Sequence, residues 1–111
     1  MPFGPFVSGQ PMFMLDDFLY GLKCLRSDVY EGALLLVRAA DECAEIDDIY
    51  QNRYTSFHGL SRVYMGDQSG VKLCRKAVVG ETRDVEVYYN LAMAEHHLGF
   101  RESAYMALRR G

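Results

Sequence analysis

The chain has 111 residues, of which 50% are hydrophobic and 24% charged, a composition that suits one folded domain rather than a disordered segment. Its net charge of −3 argues against nucleic acid as the partner, because nucleic-acid binding depends on a basic surface that neutralises phosphates. No apolar run approaches the ~18 residues of a membrane-spanning helix, and the N-terminus lacks the basic start of a signal peptide. We therefore expect a cytoplasmic protein without membrane insertion.

The N-terminal residues 1–12 are predicted to form an irregular arm, followed by a helical domain over residues 13–111. All three prolines, Pro2, Pro5 and Pro11, lie in this arm, where they block regular helix or ladder hydrogen bonds. Beyond it, apolar residues recur at helical spacing almost to the end of the chain, and no alternating pattern is long enough for a strand. The predicted class is all-α.

Six helices are expected in chain order. The first carries Asp16 and Asp17 near its start and is marked by an apolar stripe of Leu15, Phe18, Leu19, Leu22 and Leu25. The other five are predicted over residues 29–44, 49–65, 71–79, 84–98 and 101–110. Turns at Ser27–Asp28, at Gly66 to Gly70 and at Gly99 separate the helices into short-linked pairs. The prediction is three antiparallel helix hairpins.

The last hairpin has the residue order of a known repeat. An aromatic residue, a leucine, a small residue, a turn glycine and a second small residue follow one another as Tyr88, Leu91, Ala92, Gly99 and Ala104. This order resembles the tetratricopeptide repeat, most clearly over residues 88–108. The resemblance implies that the three hairpins stack as a short right-handed α-solenoid. Ala92 and Ala104 are expected to face each other, because small side chains let two helices approach closely.

The first two hairpins match the repeat pattern less well. The second supplies the order aromatic, leucine, small, aromatic in Phe57, Leu60, Ser61 and Tyr64, but its turn at Gly66 comes early. The first repeats part of the pattern in Tyr30, Ala33 and Ala40, and residues 41–53 lengthen its spacing. In the last hairpin, Glu95 replaces an expected aromatic residue.

The cysteines are predicted to be reduced thiols on or near apolar helical stripes. Cys24, Cys43 and Cys74 are odd in number and far apart in the sequence, which does not suit a disulfide framework. A catalytic cysteine needs a neighbour that lowers the thiol pKa, and nothing in the sequence demands one. We expect a reducing compartment and no catalytic residue.

No metal, cofactor or acid–base site is predicted. The adjacent His96 and His97 point ~100° apart on a helix, so they cannot easily share one ion, and His58 adds a ligand only if the third and fifth helices lie side by side. No phosphate loop or dinucleotide turn is present. The acidic pairs Asp16–Asp17 and Asp47–Asp48 suit helix starts better than catalysis. The protein is therefore expected not to be an enzyme.

The resemblance implies a concave groove that holds a peptide or partner segment. With the apolar stripes turned inward, the residues predicted to line this groove are Tyr20, Lys23, His58, Arg62, Tyr89, Asn90, Met93 and His97. Two cations and an amide in such a groove favour a segment that carries a carboxylate. Asn90 stands where carboxylate-clamp members of the family have an asparagine, although the clamp lysines are not evident. The predicted function is a protein–protein adaptor, and the alternative is a small chaperone that shields a secreted or assembling client.

A homodimer is also predicted, because two apolar elements have no obvious place in the core. One is the outer face of the last hairpin, with Tyr105, Met106 and Leu108, and the other is the arm with Phe3 and Phe6, together with Phe13 directly after it. The dimer would form by pairing of the C-terminal edges or by docking of the arm on another chain. The alternative is that the arm folds back as an intramolecular cap.

Overall fold

A computed structural model describes the backbone of residues 11–44, 49–80, 82–99 and 101–110, and the side chains of the same ranges without 11–14 and 101–105. The described residues form six α-helices and no strand: α1 Pro11–Arg26, α2 Tyr30–Cys43, α3 Gln51–Tyr64, α4 Gly70–Val78, α5 Val85–His97 and α6 Arg101–Arg110. The all-α prediction is confirmed. From α2 onward, each helix lies within two residues of its predicted bounds at either end.

The start of α1 differs from the prediction, since the helix begins at Pro11. Proline is tolerated in the first turn of a helix, where its missing N–H would have had no partner. Asp16 and Asp17 therefore lie inside the helix, whose first turn contains no acidic residue. The rest of the predicted arm, residues 1–10, and the pair Asp47–Asp48 lie outside the described residues.

Helices that follow each other in the chain pack together: α1 on α2, α3 on α4 and α5 on α6. Between these pairs, α3 contacts both α2 and α5, and α5 contacts α4. The ring of Phe18 joins α1 to this centre through edge contacts with Tyr54 and Phe57, at centroid distances of 4.7 and 5.6 Å. The core is therefore organised around α3, in which every residue from Tyr54 to Ser61 is buried.

Each helix pair turns at a residue in the left-handed region. Asp28, Gly66 and Gly99 have φ angles of 62°, 94° and 87°. The first is an aspartate, one of the few residue types besides glycine that tolerate this conformation. The turns predicted at these three residues are confirmed.

A small buried residue precedes each of these turn residues by seven positions. The three combinations are Gly21 with Asp28, Gly59 with Gly66 and Ala92 with Gly99. A Cβ atom on Gly21 would lie 2.7 Å from Cγ2 of Val37, and a Cβ on Gly59 would overlap the carbonyl oxygen of Gly70. The first two helix pairs therefore cross at these glycines. In the second pair, the small residue at the crossing is Gly59, two positions before the predicted Ser61.

Of the predicted contact between Ala92 and Ala104, only the Ala92 side chain belongs to the described residues. Ala92 is buried in α5, beside the buried Tyr88 and Leu91. The side chain of Ala104 lies outside the described residues. The close approach of α5 and α6 at this pair therefore stays a prediction.

The cysteines differ in their environments. All three are free thiols, and Cys24 is half-buried whereas Cys43 is exposed. Cys74 is buried, and its thiol donates to the carbonyl oxygen of Ser56 at 3.3 Å. Burial raises the pKa of Cys74 to about 12, which keeps this thiol protonated.

Within the described part of the chain, no helix combines the length and the apolar character needed to cross a lipid bilayer.

Candidate functional site

The predicted groove residues lie on three helices, α1, α3 and α5, and differ in exposure. Tyr20 and Lys23 are exposed on α1, and on α3 His58 is buried while Arg62 is half-buried. On α5, Tyr89 and His97 are exposed, Met93 is half-buried and Asn90 is buried. The eight residues therefore do not line one continuous open surface.

Asn90 joins two helices and does not face solvent. Its side chain is 1% exposed, and Nδ2 donates to Oγ of Ser56 on α3 at 2.9 Å. A buried amide needs such a partner, because an unpaired one costs about 1–3 kcal/mol. The prediction that Asn90 lines the groove as a clamp residue is thus not supported.

His58 is held between two charged side chains. Its Nδ1 lies 2.7 Å from Oδ2 of Asp41 on α2, and its Nε2 accepts a hydrogen bond from Nε of Arg62 at 2.9 Å. Because the arginine nitrogen can only donate, Nε2 has no hydrogen, and in a neutral ring Nδ1 donates to Asp41. His58 is therefore fixed at the junction of α2 and α3 and is not open to a ligand.

Arg62 also has a second partner. Its guanidinium donates to Oδ2 of Asp67 at 3.0 Å, so its charge is compensated on the protein itself. Hydrogen bonds from Ser69 and from Arg62 hold the pKa of Asp67 below its usual range, which keeps that carboxylate charged. With Asn90 buried and Arg62 paired, the predicted preference for a carboxylate loses two of its supporting groups.

Asp41 completes this polar network, and the sequence analysis missed it. Besides His58, it accepts hydrogen bonds from Oγ1 of Thr55 at 2.8 Å and from Nε2 of Gln51 at 3.0 Å. Gln51, Thr55, His58 and Arg62 are spaced by four, three and four residues, which places them on one face of α3. This row of polar residues on one face of α3 is the sequence pattern that could have predicted a hydrogen-bond network between α2 and α3.

Three of the predicted groove residues on α5 form an aromatic surface with two further tyrosines. Tyr89, Met93 and His97 follow each other at intervals of four residues along α5. The ring of His97 lies 5.1 Å from that of Tyr64 on α3, which lies 5.0 Å from that of Tyr30 on α2. We call these five residues the aromatic face.

The members of the aromatic face are fixed by packing yet open to solvent. Tyr30, Tyr64 and Met93 are half-buried, whereas Tyr89 is 53% exposed. Burial raises the pKa of Tyr64, and the nearby Tyr30 and Tyr89 raise it further, so the hydroxyl stays neutral. Sequence analysis had placed Tyr30 and Tyr64 in the repeat pattern of the first two hairpins and not among the groove residues.

A shallow apolar pocket extends this surface. It has a volume of about 410 Å³ and is lined by Val85, Glu86, Tyr88, Tyr89 and Leu108. Val85 and Leu108 are both more than half exposed. Leu108 is one of the residues predicted at a homodimer interface, so the apolar surface continues from α5 onto α6.

Tyr20 and Lys23 are not joined to this surface. They lie on α1, and among the described residues no hydrogen bond, ion pair or ring contact links either one to the aromatic face. Nor do three His, Cys, Asp or Glu side chains of the described part of the chain come together as metal ligands. The arrangement is therefore best suited to contact through rings and apolar side chains.

No family model, curated protein or solved structure matches the chain. The tetratricopeptide resemblance thus rests on the residues quoted above.

Proposed function

We propose that the protein is an interaction module that binds an apolar segment of a partner protein on its aromatic face. The observation that carries this proposal is the contiguous row of partly exposed side chains, Tyr30, Tyr64, Tyr89, Met93 and His97, contributed by three helices. Tyrosine is enriched at binding hot spots because it offers a large contact area and loses little conformational entropy.

The geometry of the rings supports binding without rearrangement. Tyr64 is held between the ring of Tyr30 and the ring of His97, and the Tyr30 hydroxyl donates to Asp28 at 2.8 Å. Side chains already fixed by their neighbours lose less freedom when a partner binds. The face therefore presents a surface prepared for contact.

The helix arrangement supports the tetratricopeptide-like interpretation. The recurrence of a small residue seven positions before a left-handed turn is what a repeated hairpin requires, and α3 and α5 are direct neighbours. In a solenoid of this kind, the first helices of successive hairpins line the concave side. Tyr64, Tyr89, Met93 and His97 belong to such helices. Tyr30 extends the row from the start of α2.

The charge pattern favours an apolar rather than a carboxylate-bearing segment on this face. Its five members contain no arginine or lysine, and the nearby Arg62 is bonded to His58 and Asp67. The preferred partner segment therefore has aliphatic or aromatic side chains that pack against the tyrosine rings. A client-shielding chaperone would use the same face in a stoichiometric complex.

The test is selection of peptide ligands from an unbiased display library against the full chain, followed by affinity measurement. Tyr89→Ser should weaken binding of the selected peptides by ~tenfold or more, as expected for loss of a hot-spot ring. Leu35→Ser is the matched control, since Leu35 is an exposed apolar residue on α2 outside the face. Equal affinities for wild type and Tyr89→Ser, or a library without binders, would refute the proposal. Light scattering measures the mass of the free chain and shows whether it binds peptides as a monomer or associates with itself through this face.

A further inference from the structure

A second pocket lies on the opposite side of α5 from the aromatic face. Leu91 and Glu95 point roughly 160° away from Tyr89 and Met93 around the helix axis, because each residue advances ~100°. They form the inner wall of an open pocket of about 480 Å³ between the end of α4 and α6. We call this the basic pocket. Its lining includes no member of the aromatic face.

The basic pocket has an apolar floor. Val78 of α4, Leu91 of α5 and Ala107 of α6 line it and are each at least 95% buried in the fold. Val79 and Met106, at its rim, are by contrast mostly exposed. An aliphatic side chain inserted between Val79 and Met106 would remove apolar surface of both partners from water. The expected gain in binding free energy is ~25 cal/mol per Å² of apolar surface.

Among the described side chains, those that carry charge at the mouth of the pocket are mainly positive. The guanidinium of Arg75 bonds to Oε2 of Glu95 at 3.2 Å, with half of the Arg75 side chain still exposed. Arg110 is exposed and lies over the ring of Tyr88, with its guanidinium carbon 5.5 Å from the ring centroid. Lys72 and Lys76 are exposed on α4, on the same side as Arg75.

Glu95 is the carboxylate of this site, and its charge is paired with that of Arg75. Its side chain is buried, and its partner is Arg75. The same residue replaces the aromatic side chain that the repeat pattern predicts at this position. The fold has thus placed a buried carboxylate where a ring was expected, and its bond to the half-exposed Arg75 holds that arginine beside the apolar floor.

We infer that the basic pocket binds a partner segment in which an aliphatic side chain is flanked by carboxylates. The aliphatic group fits the floor of Val78, Leu91 and Ala107, and the carboxylates meet Arg75 and Arg110. Phosphate-rich nucleic acid fits less well, because the floor of the pocket is apolar and offers no partner to a phosphate. Charge complementarity of this kind sets specificity and speeds association.

The test is an NMR titration of the full, isotope-labelled chain with the peptide Gly-Ser-Asp-Glu-Leu-Glu-Asp-Ser-Gly. Amide shifts should concentrate on α4 and α6. Two companion peptides, one with serine in place of leucine and one with lysines in place of the acids, should bind at least ~tenfold more weakly. Shifts on Tyr89, Met93 and His97 instead would place the peptide on the aromatic face and overturn this inference without touching the proposed function.

Two charge reversals complete the experiment. Arg110→Glu should weaken binding of the acidic peptide by ~tenfold or more, since it reverses a charge at the pocket mouth. Arg26→Glu, at an exposed arginine on α1, is the matched control and should change the affinity less than ~twofold. Equal losses in both variants would show general charge attraction and overturn the inference. So would the absence of binding at ~1 mM peptide. Retained secondary structure by circular dichroism confirms that both variants fold.

Discussion

The helices α1 and α3 show opposite relations between sequence and burial. The stripe of α1 contains four leucines and a phenylalanine, yet Leu15 and Leu19 are 42% and 53% exposed. In α3, by contrast, the polar Thr55, Ser56, His58 and Ser61 are all buried. The number of neighbouring helices explains this difference in burial. Helix α3 contacts α2, α4 and α5, whereas α1 packs mainly on α2.

The comparison shows how a polar helix can occupy the centre of a core. Ser56 bonds to Asn90, Thr55 and His58 bond to Asp41, and the Ser61 hydroxyl donates to the carbonyl of Phe57. A bonded polar group costs little to bury, while an unbonded one costs several kcal/mol. Four predictions test how far stability depends on α3 and its contacts, and two of them include a matched residue on α1.

The largest effect is expected from truncating a leucine in α3. Leu60 is 4% exposed in the core, so Leu60→Ala should lower the free energy of unfolding by about 2 to 5 kcal/mol, from lost burial and the cavity left behind. Leu19→Ala on α1 removes the same atoms from an exposed position and should cost less than ~1 kcal/mol. Urea denaturation measures both. Equal losses would mean that α1 contributes to the core as much as α3 does.

Adding a methyl group at the crossing of α3 and α4 should be nearly as harmful. Gly59→Ala places a Cβ against the carbonyl of Gly70 and the side chains of Leu73 and Cys74, so the helices must separate. The expected cost is about 3 kcal/mol, the upper end for overpacking. Gly80→Ala is the control, because among the described residues, apart from its chain neighbours, no atom lies within 4 Å of a Cβ placed there. A thermal melt in which both variants match wild type would contradict the crossing at Gly59.

Removing the acceptor of the polar network should have a moderate effect. Asp41→Ala leaves Thr55, His58 and Gln51 without their shared partner, and the expected loss is about 2 kcal/mol. The comparison residue is Asp16 on α1, which is exposed, so Asp16→Ala should change stability by less than ~0.5 kcal/mol. Chemical denaturation at neutral pH is the measurement. A smaller loss for Asp41→Ala than for Asp16→Ala would remove the network as a stabilising feature.

The smallest effect concerns Asp84, which links the start of α5 to α3. It accepts two hydrogen bonds from Arg53, at 2.8 and 3.0 Å, and one from the backbone N–H of Glu86. The bonds from Arg53, followed by the one from Glu86, hold the pKa of Asp84 below its ordinary value of 3.8. Asp84→Ala should cost about 1 kcal/mol at pH 7, as expected for loss of a helix cap and a partly exposed ion pair.

This contribution should depend on pH with a defined sign. Because the folded-state pKa is depressed, the stabilisation is fully present above the unfolded value of 3.8 and is lost as pH falls through the lower folded pKa. Melting temperatures of wild type and Asp84→Ala measured from pH 7 to below pH 4 should therefore converge at the acidic end. Curves that stay parallel over this range would show that the Asp84 charge is not involved.

Sequence reasoning located the helices well, because their boundaries depend on local chemistry. The turn at Gly99 and the cap at Asp84 are properties of a few neighbouring residues, and the predicted bounds of α5 differ by one residue at each end. Local reasoning placed α1 less well, because it treated Pro11 as part of the arm, whereas proline is compatible with the first turn of a helix.

The candidate site was only partly accessible from the sequence. Spacing by four residues was enough to place Tyr89, Met93 and His97 on one side of α5. It could not show that Asn90, the neighbour of Tyr89, faces Ser56, nor that Tyr64 of α3 meets His97. Those contacts depend on the rotation of α5 against α3, which no local pattern encodes.

The sequence by itself determined the all-α class, the helices and the turn residues, since hydrophobic period, capping and left-handed turns act over short distances. Only the tertiary structure decided which polar residues are buried and which apolar residues stay exposed. His58 and Asn90 are buried because Asp41 and Ser56 reach them from elsewhere in the chain, and Leu19 is exposed because no helix covers it within the described residues. Burial depends on the packing of distant segments, and that packing is set by the whole core at once.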